Sequence, residues 1–415
     1  MGSASATEWK FFGLNMWQQV AIGMIAGIIA GLLLGEAAAD LKIFGTLFIK
    51  FIKMVVPPLI FFALISGITS LTDAHHFRGI AFKGIIAYLS TALMAVIMGL
   101  ALGTIFEPGV GVPLPPSDGE PVVTAVPPSI GEFLMGLIPS NIINAMADDM
   151  YLQIVIFAIF TGVVMNNIRG HTEMVKEFSQ QCAHIVFKMI EWIVRLAPLA
   201  VFGFLAAMVG TTGMDVITSL TELVVIVIAA CFIQYLFFGL IITVFARQSP
   251  LPFFKKMITT QITAFSTTSS KATLTTAMRE LQDKMGVSQS SSNFMMPLGA
   301  CINMDGTAIY LGICAMFFAQ MYGIEMGVHE YFTLMLTCTL GSMGAAGVPS
   351  GSIIFMGMVL NSVGIPMEGI ALIVGVDRIL DMFRTTVNIT GDAAITLIVD
   401  ATEGTLDTKL YNKEL

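Results

Sequence analysis

The chain has 415 residues, of which 56% are hydrophobic and 12% charged, with a formal net charge of −8. A soluble domain carries about twice that charged fraction, so with a mean hydropathy of +0.84 the chain reads as an integral membrane protein whose main partner is the lipid bilayer. The acidic balance and the lack of any Lys/Arg-rich run exclude a nucleic-acid binder. Cys182, Cys231, Cys301, Cys314 and Cys338 show no paired spacing and read as small hydrophobes, not as a disulfide framework or metal site. From Trp17 the chain runs straight into an apolar segment of spanning length, so no cleavable signal peptide is expected.

Apolar runs of about 20 residues are counted as spans. The first covers residues 18–34 and is glycine-rich, which suits close helix contact. The second, 43–68, is long and expected to be interrupted at Pro57-Pro58, and so bent or tilted. A link over 71–83 holds Arg78 and Lys83, which places it in the cytoplasm by the positive-inside rule. Its His75 and His76 read as loop residues without a metal role. A span over 84–106 returns. The Pro- and Gly-rich loop that follows, 107–129, has Asp118 and Glu120 but no Lys or Arg, so it belongs outside. Further spans are expected over 152–165, 185–208 and 223–245. Arg247, Lys255 and Lys256 then mark another cytoplasmic turn, and the count puts the amino terminus inside.

From Pro250 the pattern changes. Residues 257–285 hold only short apolar arms around Ser266-Thr267-Thr268-Ser269-Ser270-Lys271, and 331–363 repeat that shape around a Gly-rich centre at 341–351. Non-helical backbone at membrane depth survives only where protein or a cavity covers it. Both segments therefore read as re-entrant hairpins with tips near the midplane, one based inside and one outside, as in an inverted repeat. Between them a span over 293–320 is broken at Asn303-Met304-Asp305-Gly306-Thr307, where freed carbonyls beside an aspartate suit sodium or potassium.

The run 375–392, GVDRILDMFRTTVNITGD, carries the densest charge. At 100° per residue, Asp377, Asp381, Arg384, Thr385, Asn388 and Asp392 share one stripe, while Ile379, Leu380, Phe383, Val387 and Ile389 fall outside it. Charged groups at membrane depth are expensive and usually face a cavity, a partner or a substrate, so the stripe is a candidate binding site. A network that merely pins helices, with Arg384 paired to Asp381, is the bland alternative. Against it, the acids on the stripe outnumber Arg384, and the excess negative charge calls for cations.

NMDGT at 303–307, the Ser/Thr-rich tip at 266–270, GAAGVPSG at 344–351 and DRILDMFRTTVNITGD at 377–392 together resemble the glutamate transporter family, the dicarboxylate/amino acid:cation symporters. The likeness extends along essentially the whole chain. It implies an all-α polytopic membrane protein with eight transmembrane helices, two re-entrant hairpins and inverted repeats. It also implies a homotrimer in the cell inner (plasma) membrane, working as an elevator with both termini cytoplasmic. The implied scaffold comprises helices one and two (1–83) and four and five (134–210), with an extracellular loop over 107–133. The implied transport domain comprises helix three (84–106), helix six (215–247), hairpin one (250–285), helix seven (293–320), hairpin two (328–364) and helix eight (366–400), ahead of a tail at 401–415. Hairpin two would be the extracellular gate.

The resemblance also implies roles. Arg384 would grip the side-chain carboxylate of an acidic amino acid, for which a guanidinium fork is well shaped. Asp381 would take the α-ammonium with support from Thr385, Asn388 would bind the α-carboxylate, and Thr307, Ser270 and the Gly347-Val348 backbone would close around the ligand. Sodium (Na+) would bind at three places. One is formed by Asp392, Asn388 and the carbonyls of Gly299 and Asn303, and the second by Asp305 with Asn303, Tyr88 and Thr91. The third uses backbone oxygens near Cys301, Met304 and Ser342. Such oxygens suit a hard cation.

The sequence departs from the family pattern in several places. Lys271 stands where many members have a small residue, Ala92 replaces a hydroxyl residue, and Arg378 rather than position 268 supplies an arginine. A proton-coupled or C4-dicarboxylate-preferring member stays open as the alternative. An intramembrane hydrolase built on Ser269 or Ser270 with Lys271 lacks a separate general base.

Overall fold

A computed structural model describes residues 16–69, 78–113, 135–168, 170–344 and 351–413. Every regular element among them is helical. The first half contains α1 (Met16–Leu34), α2 (Lys42–Thr69), α3 (Arg78–Phe106), α4 (Ile142–Ala147), α5 (Tyr151–Asn167), α6 (Glu173–Val194), α7 (Ala197–Thr212) and α8 (Asp215–Ile241). The second half contains α9 (Pro250–Lys256), α10 (Ile258–Thr267), α11 (Ser270–Arg279), α12 (Gln289–Ile302), α13 (Asp305–Met321), α14 (Val328–Gly344), α15 (Gly351–Ser362), α16 (Ile370–Glu403) and α17 (Thr408–Asn412). His75, His76, Gly347, Val348 and most of the expected extracellular loop lie outside the described residues.

Four helical runs among the described residues are long and apolar enough to cross a bilayer: Gln18–Ser66, Phe82–Phe106, Ile217–Ala246 and Gln289–Met321. Length and hydropathy alone therefore do not reproduce the eight expected spans, although the first run holds 49 residues. That is roughly 74 Å of helix at full extension, against a hydrocarbon slab of about 30 Å.

Three expectations are corrected. The single span at 185–208 is instead a pair, α6 and α7, bent by 47°. Pro198 in the first turn of α7 has no N–H to carry the α6 ladder onward, and Lys188, Glu191 and Arg195 give α6 a charged face with ion pairs of 2.7 Å. Second, α2 runs through Pro57 and Pro58 without interruption, because in an apolar medium no water competes for the remaining backbone bonds. Third, α3 begins at Arg78, not Gly84, and Lys83 in its extra turns pairs with Glu403 of α16 at 2.5 Å.

Packing is densest within two groups of helices, which touch each other chiefly where α7 meets α16. In one, α1 and α2 lie on α7, and α2 also on α5 and α6. Gly23, Gly27 and Gly31 make the first contact possible: a Cβ on each would sit 2.4, 2.6 and 2.7 Å from the carbonyl oxygens of Pro198, Phe202 and Ala206. This is the small-residue spacing by which membrane helices approach closely. In the other group, α3 packs on α13, and α8, α10, α12 and α13 surround α16. Two helix pairs turn back on themselves, α10 with α11 and α14 with α15. The first reverses at Thr268, a β-branched residue held left-handed at φ 50°. α16 is buried along most of its length at the centre of this second group.

Candidate functional site

The site forms where α12 stops and α13 starts. Asn303 (φ −108°, ψ 97°) and Met304 (φ −124°, ψ 60°) leave helical space, and Asp305 opens α13, where the helix dipole favours a carboxylate. Gly306 is needed for close approach, since a Cβ there would lie 2.5 Å from the Arg384 carbonyl oxygen. The Gly306 N–H donates to Asn388 Oδ1 at 2.8 Å, and Asn388 Nδ2 faces Thr307 Oγ1 at 3.4 Å and Met304 Sδ at 3.3 Å. Asn388, Thr307 and Met304 are thus brought together by one amide.

On one side of the break lies a cluster of acids. Thr91 Oγ1 donates to Asn303 Oδ1 at 3.2 Å, and Asn303 Nδ2 donates to Asp392 Oδ1 at 3.0 Å. Gly299 leaves room for Asp392, whose Oδ1 would be 2.7 Å from a Cβ at that position. The Tyr88 hydroxyl donates to the Met295 carbonyl at 3.0 Å and lies 3.4 Å from the Asp392 carbonyl oxygen and 3.5 Å from Thr396 Oγ1. Asp305 and Asp392 are fully buried. Among the described residues, Asp305 Oδ1 and Asp392 Oδ2 have no hydrogen-bond partner. An anionic oxygen buried without a donor is strongly disfavoured, and an alkali cation is the ligand that such hard oxygens fit. No cluster of three or more His, Cys, Asp or Glu able to hold a metal ion occurs among the described residues.

On the other side lies the arginine. Arg384 Nη2 contacts Asp377 Oδ1 at 2.8 Å and Asp381 Oδ1 at 3.2 Å, and Thr385 Oγ1 donates to Asp381 Oδ1 at 3.3 Å. The Tyr310 ring lies 3.9 Å from the guanidinium carbon, a cation–π contact. Arg384 is wholly buried, yet its Nε and Nη1 have no acceptor among the described residues, nor has Asp377 Oδ2 a donor. At the site Asp377, Asp381, Asp305 and Asp392 are buried together with one base, Arg384. Among the described residues the arrangement offers two unpartnered donor nitrogens on a fixed cation, with the unpartnered Asp377 oxygen on the arginine's side and those of Asp305 and Asp392 on the other.

The remaining candidates are more scattered. Ser270 is buried at the start of α11, its hydroxyl unpartnered among the described residues. Ser342 is buried but donates to Thr339 in its own helix at 2.8 Å, and Cys301 is only half-buried. The Lys271 ammonium lies 5.4 Å from the Phe187 ring centroid of α6. Arg378 Nη1 donates to Thr268 Oγ1 at 2.5 Å, so the arginine of α16 reaches the reversal between α10 and α11. Ala92 is fully buried. Sequence reasoning placed Asp377 on the stripe without a partner, and overlooked Tyr310 and Gln234. Gln234, on α8, donates to Asp305 Oδ2 at 3.3 Å; a lone amide in an apolar helix was the signal available.

Residues 16–402 match the sequence profile described as the Sodium:dicarboxylate symporter family. The chain is 31% identical over 404 residues to a proton/sodium-glutamate symport protein of Bacillus subtilis, covering 95% of this chain and 93% of that one. It is 31% identical over 411 residues to a C4-dicarboxylate transport protein of Rhodospirillum rubrum, covering 97% and 91% respectively. A C4-dicarboxylate transport protein of Bacillus subtilis is 31% identical over 399 residues, covering 95% and 94%.

Proposed function

The chain belongs to the sodium:dicarboxylate symporter family, and from that premise we propose that it performs sodium-coupled symport of an acidic amino acid, L-aspartate or L-glutamate. It is a multi-pass membrane protein, and its relatives are transport proteins and not enzymes. The observation that carries the reading is the pairing of a buried base, whose Nε and Nη1 are unpartnered among the described residues, with a carboxylate one turn away at Asp381. A substrate with a carboxylate at one end and an ammonium and carboxylate at the other meets complementary groups in Arg384, Asp381 and Asn388.

Charge explains the coupling. At the site the buried acids Asp305, Asp377, Asp381 and Asp392 accompany one buried base, Arg384, and an acidic amino acid brings more negative than positive charge. Na+ taken up as co-substrate by Asp305 and Asp392 relieves the excess, so each ligand favours the state that the other needs. The division of packing into an α1, α2, α5, α6, α7 group and a group around α16 supports a scaffold and a moving transport domain. On this reading the α10–α11 and α14–α15 pairs are the two hairpins, and the second is the gate of an elevator within a homotrimer. The eight spans, the cytoplasmic termini and the plasma-membrane location belong to the same reading.

A second reading, a C4-dicarboxylate symporter, draws support from Asp381 itself, which is already engaged by Arg384 and Thr385 and so has less capacity for an ammonium. Uptake of L-aspartate, L-glutamate and succinate into proteoliposomes under an imposed Na+ or H+ gradient separates them. Accumulation of the amino acids driven by Na+ is expected. Accumulation of succinate alone, or driving by H+ without Na+, contradicts the first reading.

A further inference from the structure

Within the sodium-coupled reading, we propose that Gln234 is a positioning residue that selects which oxygen of Asp305 meets the coupled monovalent cation. α8 is apolar on all sides around this point, with VIVIAACFI ahead of Gln234 and YLFFGLI behind it. An amide buried to 1% exposure in such a helix must find a polar partner or lose its hydration without return. Its partner comes from another helix: Nε2 donates to Asp305 Oδ2 at 3.3 Å.

The consequence lies in the other oxygen. A carboxylate has two equivalent acceptors and a broad terminal torsion. With Oδ2 tied to Gln234, Oδ1 is the oxygen left without a partner among the described residues. The packing around it is tight enough for that choice to persist. Phe238, one turn beyond Gln234 on the same face of α8, would lie 2.8 Å from a Cβ at Gly391 of α16. Asp305 Oδ2 and Asn303 Nδ2 would lie 3.1 and 3.2 Å from that Cβ. The glycine therefore lets α8, α13 and α16 converge on one carboxylate. Thr91 and Asn303 stand alongside it, already linked at 3.2 Å. A cation held by oxygens that cannot shift is sensitive to ionic radius, so Gln234 tunes discrimination between cations as well as affinity.

The test uses the full-length protein in proteoliposomes, comparing wild type with Gln234→Leu and Gln234→Met. L-Aspartate uptake is titrated with Na+ and, separately, with Li+, and Tm is followed in parallel. The half-saturating Na+ concentration is expected to rise about tenfold in the variants, the scale of one hydrogen bond to a charged group. The Na+-to-Li+ ratio of half-saturating concentrations should change with it, while the aspartate KM at saturating Na+ stays within about twofold, because nothing that touches substrate is altered. If one variant fails to fold, aspartate binding by the other in detergent gives the same comparison. Variants that fold and keep the wild-type Na+ and Li+ dependence overturn this assignment alone. A wild type that takes up aspartate without regard to Na+ overturns the sodium-coupled reading on which it rests.

Discussion

Asp392 and Asp400 lie two turns apart on α16, and both are fully buried. Asp400 is saturated with donors: Ser288 N at 3.1 Å, Ser288 Oγ at 2.6 Å and Thr405 Oγ1 at 2.5 Å. Asp392 receives Asn303 on one oxygen and nothing on the other among the described residues. The two buried bases divide in the same way. Lys256 gives its ammonium to the carbonyls of Lys284, Leu410 and Tyr411 at 2.9, 3.0 and 2.7 Å, tying α17 to α9 and to the segment that follows α11. Arg384 leaves Nε and Nη1 unused. Burial alone does not mark a functional charge. Burial with an unfilled valence does, because a group whose partners are complete has nothing left to offer a ligand.

The comparison can be broken most directly at Arg384. Arg384→Cys should reduce uptake of L-aspartate and L-glutamate by roughly a hundredfold or more, since removing one partner of a buried ion pair costs about 3–5 kcal/mol. Unchanged aspartate affinity would mean that the guanidinium does not meet substrate.

The two aspartates give a crossed pair of outcomes. Asp392→Asn should raise the half-saturating Na+ concentration about tenfold or more, with Tm in Na+-free buffer held or raised, because an uncompensated buried carboxylate is itself a burden. Asp400→Asn should leave the Na+ dependence alone and lower stability by about 1–3 kcal/mol, the cost of buried donors left unmade. Thermal unfolding and Na+ titration of both variants check this, and identical behaviour would erase the distinction.

Lys256→Met is the corresponding test at the satisfied base. It strands three carbonyls and should lower Tm, by an amount equivalent to about 2 kcal/mol, without moving the aspartate KM. The smallest effect belongs to Lys271→Ala. Its ammonium lies over the Phe187 ring, a contact of about 0.5–1 kcal/mol at an exposed position, and uptake should persist. Loss of uptake would bring Lys271 back into the site.

Much of this was legible in one dimension. The helix break at Asn303 and Met304 follows from an Asp-Gly step inside an apolar run, and the shared face of Asp377, Asp381, Arg384 and Asn388 follows from helical period alone. At the site, what failed was whatever depended on a second helix. Gln234 reaches Asp305 across 71 positions, and nothing in the spacing of either helix foretells that meeting. Likewise Asp400 continues the polar run of α16 with the same residue type as Asp392, and only Ser288 and Thr405 reveal its different duty. The bend between α6 and α7 was hidden because hydropathy averages over Pro198 and the charges just before it.

The most direct test of the account is calorimetric titration of the purified protein with L-aspartate and L-glutamate, in NaCl and in an equal concentration of choline chloride. Unfilled valences on Asp305, Asp392 and Arg384 predict heat of association in NaCl and little or none in choline. The same affinity in both salts, or no heat for either amino acid at any NaCl concentration, would contradict it.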